Sequence, residues 1–435
     1  MQALAQEMEQ VFRFDRAAVY QQERVATFKH DPTVWYDYAL FLMRTGEHGK
    51  AEECTREAIA LNHSEFDYLF AHGLVLATRG KLEDSEPYFK EALDMSPHDV
   101  EMWLLMGILY AQLGRSKDAR AAVKQAKALL GGDAEMGESY YQLAVRCLKV
   151  NAVPFIEGAL DKAVEMLGDD NYHVWLCKGK MQLTCGDAAA ASSSLQKALA
   201  ISKKSVSGWT LLGQSYVLAS QQDEAKAAFS KVLELSAHPM PLTALLCFGK
   251  LSLEGGDNAK AKELFMLACR DAPSCTSWLG VGTACLRLGQ QDEAEEALAE
   301  ANILNNRDET VWGQLALLCT GQQRFDEGEQ AIEQALKLGL SDAKLLMELG
   351  ETLRAAGKWA PAETCLRRSI GIEAAAKAYV LLGDVLDEQQ QLDDALKSYE
   401  KALECEDVEA DGHALHKYIM DKVRSLRERN HKELQ

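Results

Sequence analysis

The sequence predicts an all-α solenoid of about eleven helix-turn-helix repeats with a helical cap at each end. Three observations predict it. Small residues recur at steps of about 34: Ala39, Gly73, Gly107, Ala144, Gly179, Gly213, Gly249, Gly282, Ala316, Gly350 and Gly383. Four positions before each stands a large apolar residue, and six of the seven tryptophans (Trp35, Trp103, Trp175, Trp209, Trp278 and Trp312) share that slot. A third set of columns follows in most second halves, where a small residue recurs seven positions on with a large apolar one between them, as in Ala191, Leu195 and Ala198. Spacings of three, four and seven put such residues on one helical stripe. The small residue lets two antiparallel helices approach to about 8–10 Å. One pair cannot bury its own stripe, so neighbouring pairs must stack.

Taken in order, residues 1–31 precede the repeat columns and read as an N-terminal capping region, and "MQALAQEMEQVFRFD" has no apolar stretch of the secretory kind. The solenoid is expected over 32–410. Repeats one to three carry Trp35, Leu69 and Trp103 with second-helix residues Ala51, Ser85 and Ala119. About three extra residues near "LLGGDAEMG" precede repeat four, where Tyr140 and Ala144 hold the first-helix columns and Ile156 replaces the small residue of the second helix. Repeats five and six carry Trp175 and Trp209. Two extra residues, with Pro239 and Pro241, precede repeat seven at Leu245. Repeats eight to eleven carry Trp278, Trp312, Leu346 and Tyr379, and Gly328 replaces the usual second-helix residue in repeat nine. These departures mark expected changes of curvature.

Punctuation agrees with the columns. Gly46, Gly80, Gly114, Gly186, Gly256, Gly289 and Gly357 fall where first helices end and suit a left-handed cap. Asp118, Asp187, Asp223 and Asp292 follow and favour the next helix start. Pro97 and Pro273 stop second helices, and Pro87 inside one predicts a local bend. Residues 411–435 read as a basic capping helix. Its Lys417, Lys422, Arg424, Arg427, Arg429 and Lys432 follow an acid-rich stretch from Asp384 to Glu409. That reversal reads as an acidic helix followed by a basic cap, in preference to two opposite docking patches.

Composition narrows the function. A net charge of −19 argues against non-specific nucleic-acid or anionic-membrane binding. No stretch approaches the length of a membrane span. Eleven cysteines, without CxxC or metal-ligand spacing, point to a reducing, intracellular compartment. The His413/His416 pair lacks a companion carboxylate in register and reads as a solvated face. "GVG" at 280–282 is helix packing, and the acids at 292–296 cap a helix. No phosphate loop or nucleophile elbow occurs. We therefore expect no cofactor, metal or small-molecule substrate.

These columns resemble the tetratricopeptide-repeat (TPR) family over nearly the whole chain. The resemblance implies a right-handed superhelix whose concave groove is lined by first helices, and a protein-binding role. "DPTVWYDYALFLMRTGEHGKAEECTREAIALN" (31–62) and the repeats after it resemble, more narrowly, the C-terminal TPR region of the cilia- and flagella-associated protein 70 family. That resemblance implies an axonemal scaffold associated with outer dynein arms. The chain starts almost at the repeats and lacks that family's larger amino-terminal region. A cytosolic adaptor of a transport complex is the alternative, and an enzyme subunit the remoter one. Lys149, Lys180, Gln214, Lys250 and Arg287 have groove-facing spacing and are the candidate partner contacts; scattered solvent-facing side chains are the plainer reading of them. Tyr36 and Leu40 stand where chaperone-clamping TPR proteins use Asn and Lys, so that activity is not expected. Leu40, Leu74 and Ile108 either receive a partner helix or pack on the amino-terminal helix. The second is preferred, because a solenoid end needs covering.

Overall fold

The computed structural model describes residues 1–10, 13–130, 133–236, 240–405 and 413–433, without the side chains of 133–134, 413–414 and 430–433. The described residues form helices and no strand. Helices α1 (Gln2–Gln10) and α2 (Phe14–Thr27) come first. Repeats one to four are α3/α4 (Pro32–Arg44, His48–Leu61), α5/α6 (Phe66–Thr78, Leu82–Met95), α7/α8 (Val100–Gln112, Ser116–Leu129) and α9/α10 (Asp133–Val150, Val153–Leu167). Repeats five to seven are α11/α12 (Tyr172–Thr184, Ala188–Ile201), α13/α14 (Val206–Leu218, Gln222–Leu235) and α15/α16 (Leu242–Glu254, Asn258–Asp271). Repeats eight to eleven are α17/α18 (Cys275–Arg287, Gln291–Leu304), α19/α20 (Glu309–Gly321, Phe325–Lys337), α21/α22 (Ala343–Ala355, Trp359–Ile372) and α23/α24 (Ala376–Glu388, Leu392–Glu404). Helix α25 (His413–Glu433) closes the chain. The repeats belong to two compact units, Met1–Leu251 and Ser252–Gln435, whose boundary falls within α15.

The glycine column works by excluding a side chain. A Cβ added at Gly73 would stand 2.5 Å from Phe89, at Gly179 2.5 Å from Leu195, at Gly213 2.6 Å from Phe229 and at Gly282 2.6 Å from Leu298. Gly350 meets Leu366 and Gly383 meets Tyr399 in the same way, at 2.5 and 2.8 Å, and Gly107 meets Val123 at 3.0 Å. In each case the partner lies sixteen residues on, at the large slot of the second helix. Each large residue therefore packs onto bare backbone, and any side chain there would have to displace it.

The seven expected cap glycines all adopt positive φ, from 72° at Gly357 to 81° at Gly46. Where a repeat lacks the glycine, Asn151, Ser220, Gln323 and Gln390 take the same conformation, at φ 58° to 63°. Of the four expected acids, Asp187 caps its helix by accepting from the Ala190 N–H at 2.9 Å, whereas Asp118, Asp223 and Asp292 lie in the first turn without a capping bond. First helices are capped by residues that the repeat columns did not single out, among them Asp31, Asp99, Asn171, Ser205, Ser274, Asp308 and Asp342. Second helices end before Pro97 and Pro273 as expected, and α6 runs on through Pro87.

Both capping regions are tied down by charge. Arg24 pairs with Asp37 at 2.8 Å and Glu9 with Arg44 at 2.6 Å, joining α2 and α1 to the first repeat. At the other end Lys422 and Arg429 reach Asp387 at 3.4 and 2.6 Å, and Arg427 reaches Glu400 at 2.8 Å. The described part of the acidic stretch thus receives the basic helix as a cap. His413, Lys432 and the acids from 406 to 411 lie outside the described side chains.

Candidate functional site

The first repeats do not offer an open first-helix face. Leu74 is fully buried, and Ile108 lies against Gly158 of α10, 3.4 Å from where a Cβ would stand. Repeat four covers much of this face, since α9 lies across α3, α5 and α7, while the amino-terminal α2 lies against α3. Arg146 on α9 places its guanidinium 4.5 and 4.8 Å from the rings of Phe66 and Phe70. It also pairs with Asp99 at 2.8 Å and Glu101 at 3.3 Å. Burial nonetheless holds the Glu101 carboxyl above its ordinary range, with Arg146 pulling the other way. At the end of α9 the Asn151 amide donates to the Met43 carbonyl of α3 at 3.3 Å. A partner must therefore use other surfaces than the first-helix face of repeats one to three.

An open face begins beyond that plug. A cavity of about 390 Å³ runs along the first helices of repeats four to seven, within Met1–Leu251. Its floor is apolar, with Val145, Leu148, Leu176 and Leu211. Its polar lining comprises the exposed His173 and Ser207, the half-buried Thr243, and Thr210, which is buried and donates to the Val206 carbonyl at 2.9 Å. Lys180 and Gln214 lie in it together, each one residue after the small residue of its repeat. Lys149 is exposed next to Leu148. Lys250 is exposed but is not among the lining residues, and Arg287 belongs to the other compact unit, where it donates to the Leu253 carbonyl at 2.9 Å. The lining is thus mixed apolar and hydroxylic, with a single lysine. Sequence reasoning missed its other members. The signal was present: His173, Ser207 and Thr243 all stand six residues before the repeat's small residue, and Leu176 and Thr210 three before it.

Titratable groups near the core point to packing. Burial pushes the Cys54 and Cys365 thiols up to about 12 and Cys177 and Cys247 to about 11. Such thiols stay protonated and pack as small apolar groups. Burial depresses His72 to about 4. Its Nδ1 lies 2.7 Å from the Thr55 hydroxyl, and its ring meets Tyr88 edge-on at 4.5 Å. Among the described residues no group of three or more His, Cys, Asp or Glu side chains could hold a metal ion. No described helix is long and apolar enough to cross a membrane.

Comparison with known proteins adds an independent line. The family model for the Cilia and flagella-associated protein 70 C-terminal domain matches residues 152–417, and the model for that protein's middle TPR-like domain matches residues 1–130. The interval between the two matches contains α9. Cilia- and flagella-associated protein 70 of Macaca fascicularis is 33% identical over 367 residues, 77% of this chain and 34% of the relative. The Homo sapiens protein is 36% identical over 206 residues, 46% of this chain and 18% of the relative. The chain therefore spans about a third, or less, of the length of the curated relatives it matches. A solved tetratricopeptide repeat protein from Parabacteroides merdae aligns with 60% of the chain and all of its own length, at 20% identity and a TM-score of 0.47.

Proposed function

Because the chain belongs to the cilia- and flagella-associated protein 70 family, we propose that it is a non-catalytic protein-interaction scaffold of the ciliary axoneme, docked at the outer dynein arms. The observation that carries the binding role is the groove on repeats four to seven, an apolar floor with the hydroxyl and amide rim that a peptide or partner helix requires. Lys180 and Gln214 are the contacts assigned to the partner within it, with Lys149 at its margin. Lys250 and Arg287 are assigned to flanking contacts. Membership of a family named for cilia and flagella supports the location.

The test uses a ciliated cell expressing the tagged chain. After detergent removes the membrane, the tag should stay with the axoneme and come off in high salt. Complete release with the soluble fraction would replace the axonemal reading with that of a soluble adaptor.

A further inference from the structure

Helix α8 differs from most second helices; α20 likewise makes little contact with the next first helix, α21, but its Glu329 meets Lys358 of the next repeat at 3.2 Å. In a regular array each second helix receives the first helix of the next repeat. That contact uses the same slots repeatedly. One residue after the small residue, Glu52, Glu86, Lys262 and Glu295 each meet an opposite charge at the turn or second helix of the next repeat: Lys81 at 3.0 Å, Arg115 at 2.8 Å, Glu293, and Arg324 at 2.9 Å. Five residues after it, Gln196 donates to the Tyr216 hydroxyl of the next first helix at 3.0 Å. Eight residues after it, Ile59, Leu93, Leu199 and Cys269 are buried, and Leu199 abuts Gly208 of the next first helix.

In α8 those three slots hold Arg120, Lys124 and Lys127, all exposed. The next first helix, α9, lies on α3, α5 and α7 and only grazes α8. Ala119, whose counterparts in other repeats are fully buried, is only half-buried. Lys117 extends the same stripe, since positions 117, 120, 124 and 127 fall within one arc of a helix. Among the described residues neither Arg120 nor Lys124 has an ion pair.

We propose that α8 is a docking site for an acidic helix of another protein, seated where the next first helix lies in the other repeats. The geometry asks for a helix, because the vacant position is one that helices fill elsewhere in this chain. The charge asks for carboxylates, because the slot after the small residue is paired with an opposite charge of the next repeat in five other repeats, whereas here it holds an arginine unpaired among the described residues. A net charge of −19 disfavours nucleic acid and anionic lipid, which would meet repulsion beyond this stripe. The site is separate from the groove of repeats four to seven and stands or falls independently of the proposed function.

The test measures fluorescence anisotropy of a labelled, glutamate-rich helical peptide of about four turns, titrated with the whole chain at low and moderate salt. We expect saturable binding that weakens with salt and falls about tenfold or more in Arg120→Glu/Lys124→Glu. Lys180→Glu reports on the groove of repeats four to seven, and a loss of peptide binding in that variant but not in Arg120→Glu/Lys124→Glu overturns the proposal. Equal binding by Arg120→Glu/Lys124→Glu, or none by the unmodified chain, overturns the proposal. Tighter binding of a duplex oligonucleotide or of phosphatidylserine vesicles, lost in the same variant, overturns it in favour of that ligand. Self-association in sedimentation equilibrium, abolished by the variant, would assign the face to a second copy of the chain.

Discussion

At the residue scale, the cap positions separate what composition dictates from what the backbone demands. Seven first helices end on a glycine with positive φ, while Ser220, Gln323 and Gln390 adopt that conformation with a side chain. A left-handed backbone costs a non-glycine residue about 1 kcal/mol. Gln323→Gly should therefore raise stability by up to about 1 kcal/mol, read as a higher denaturation midpoint; a lower midpoint would show that the side chain compensates. His72 makes the second residue-scale prediction. Its ordinary value is 6.5 and burial lowers it to about 4, so the unfolded chain binds the extra proton first as pH falls. Its contribution is whole above pH 6.5 and is lost between there and about 4. The loss is about 3 kcal/mol at most. His72→Gln should flatten the stability profile of the chain across that window, and an unchanged profile would count against the buried neutral imidazole. The tryptophans share one column of the repeat. They are half-buried, and in five repeats the indole N–H donates to the carbonyl six residues earlier: Trp35 to Lys29, Trp103 to Pro97, Trp175 to Asp169, Trp209 to Lys203 and Trp312 to Asn306, at 2.7 to 3.0 Å. Each indole therefore also pins the turn before its own helix. Spacing alone conveys the column but not the direction of the ring.

At the element scale, the helix crossing is the legible part. Gly213 and Phe229 were separable in the sequence as a small and a large column, and the structure places one against the other. Gly213→Trp should disrupt repeat six, because even a Cβ would stand 2.6 Å from the Phe229 ring. Overpacking of this kind costs about 1–3 kcal/mol and more for so large a side chain. An unchanged melting curve would refute the crossing. The route of α9 was not legible. The three extra residues before repeat four signalled a joint, but a count of residues carries no direction. What turns α9 onto the earlier first helices is a set of contacts distant in sequence. Arg146 sits between two phenyl rings and two carboxylates, and Asn151 bonds to Met43. Arg146→Met would leave Asp99 and Glu101 without their cation and should cost about 2 kcal/mol. A loss below a few tenths of that would show that packing alone holds the plug.

At the scale of the whole molecule, the repeats fall into two compact units, and stability in repeat arrays is set by neighbours. The damage from Gly213→Trp should accordingly stay local. Amide exchange should quicken in α11 to α14 and remain unchanged across Ser252–Gln435. Uniform acceleration would mean that the array unfolds as one cooperative body. The candidate groove was legible only in part. Lys180 and Gln214 share a column and came together, whereas Lys250 and Arg287 had suitable spacing but different surroundings. A column predicts which way a side chain points along a first helix. It does not report which neighbouring helices remain uncovered, and that was decided by α9.

The most direct measurement of the central claim is rebinding of the purified chain to salt-stripped axonemes. The account predicts saturable co-sedimentation that is weakened by Lys180→Glu, whose side chain lies in the groove. A chain that stays in the supernatant at every concentration, or a Lys180→Glu variant that pellets as well as the unmodified chain, would contradict it.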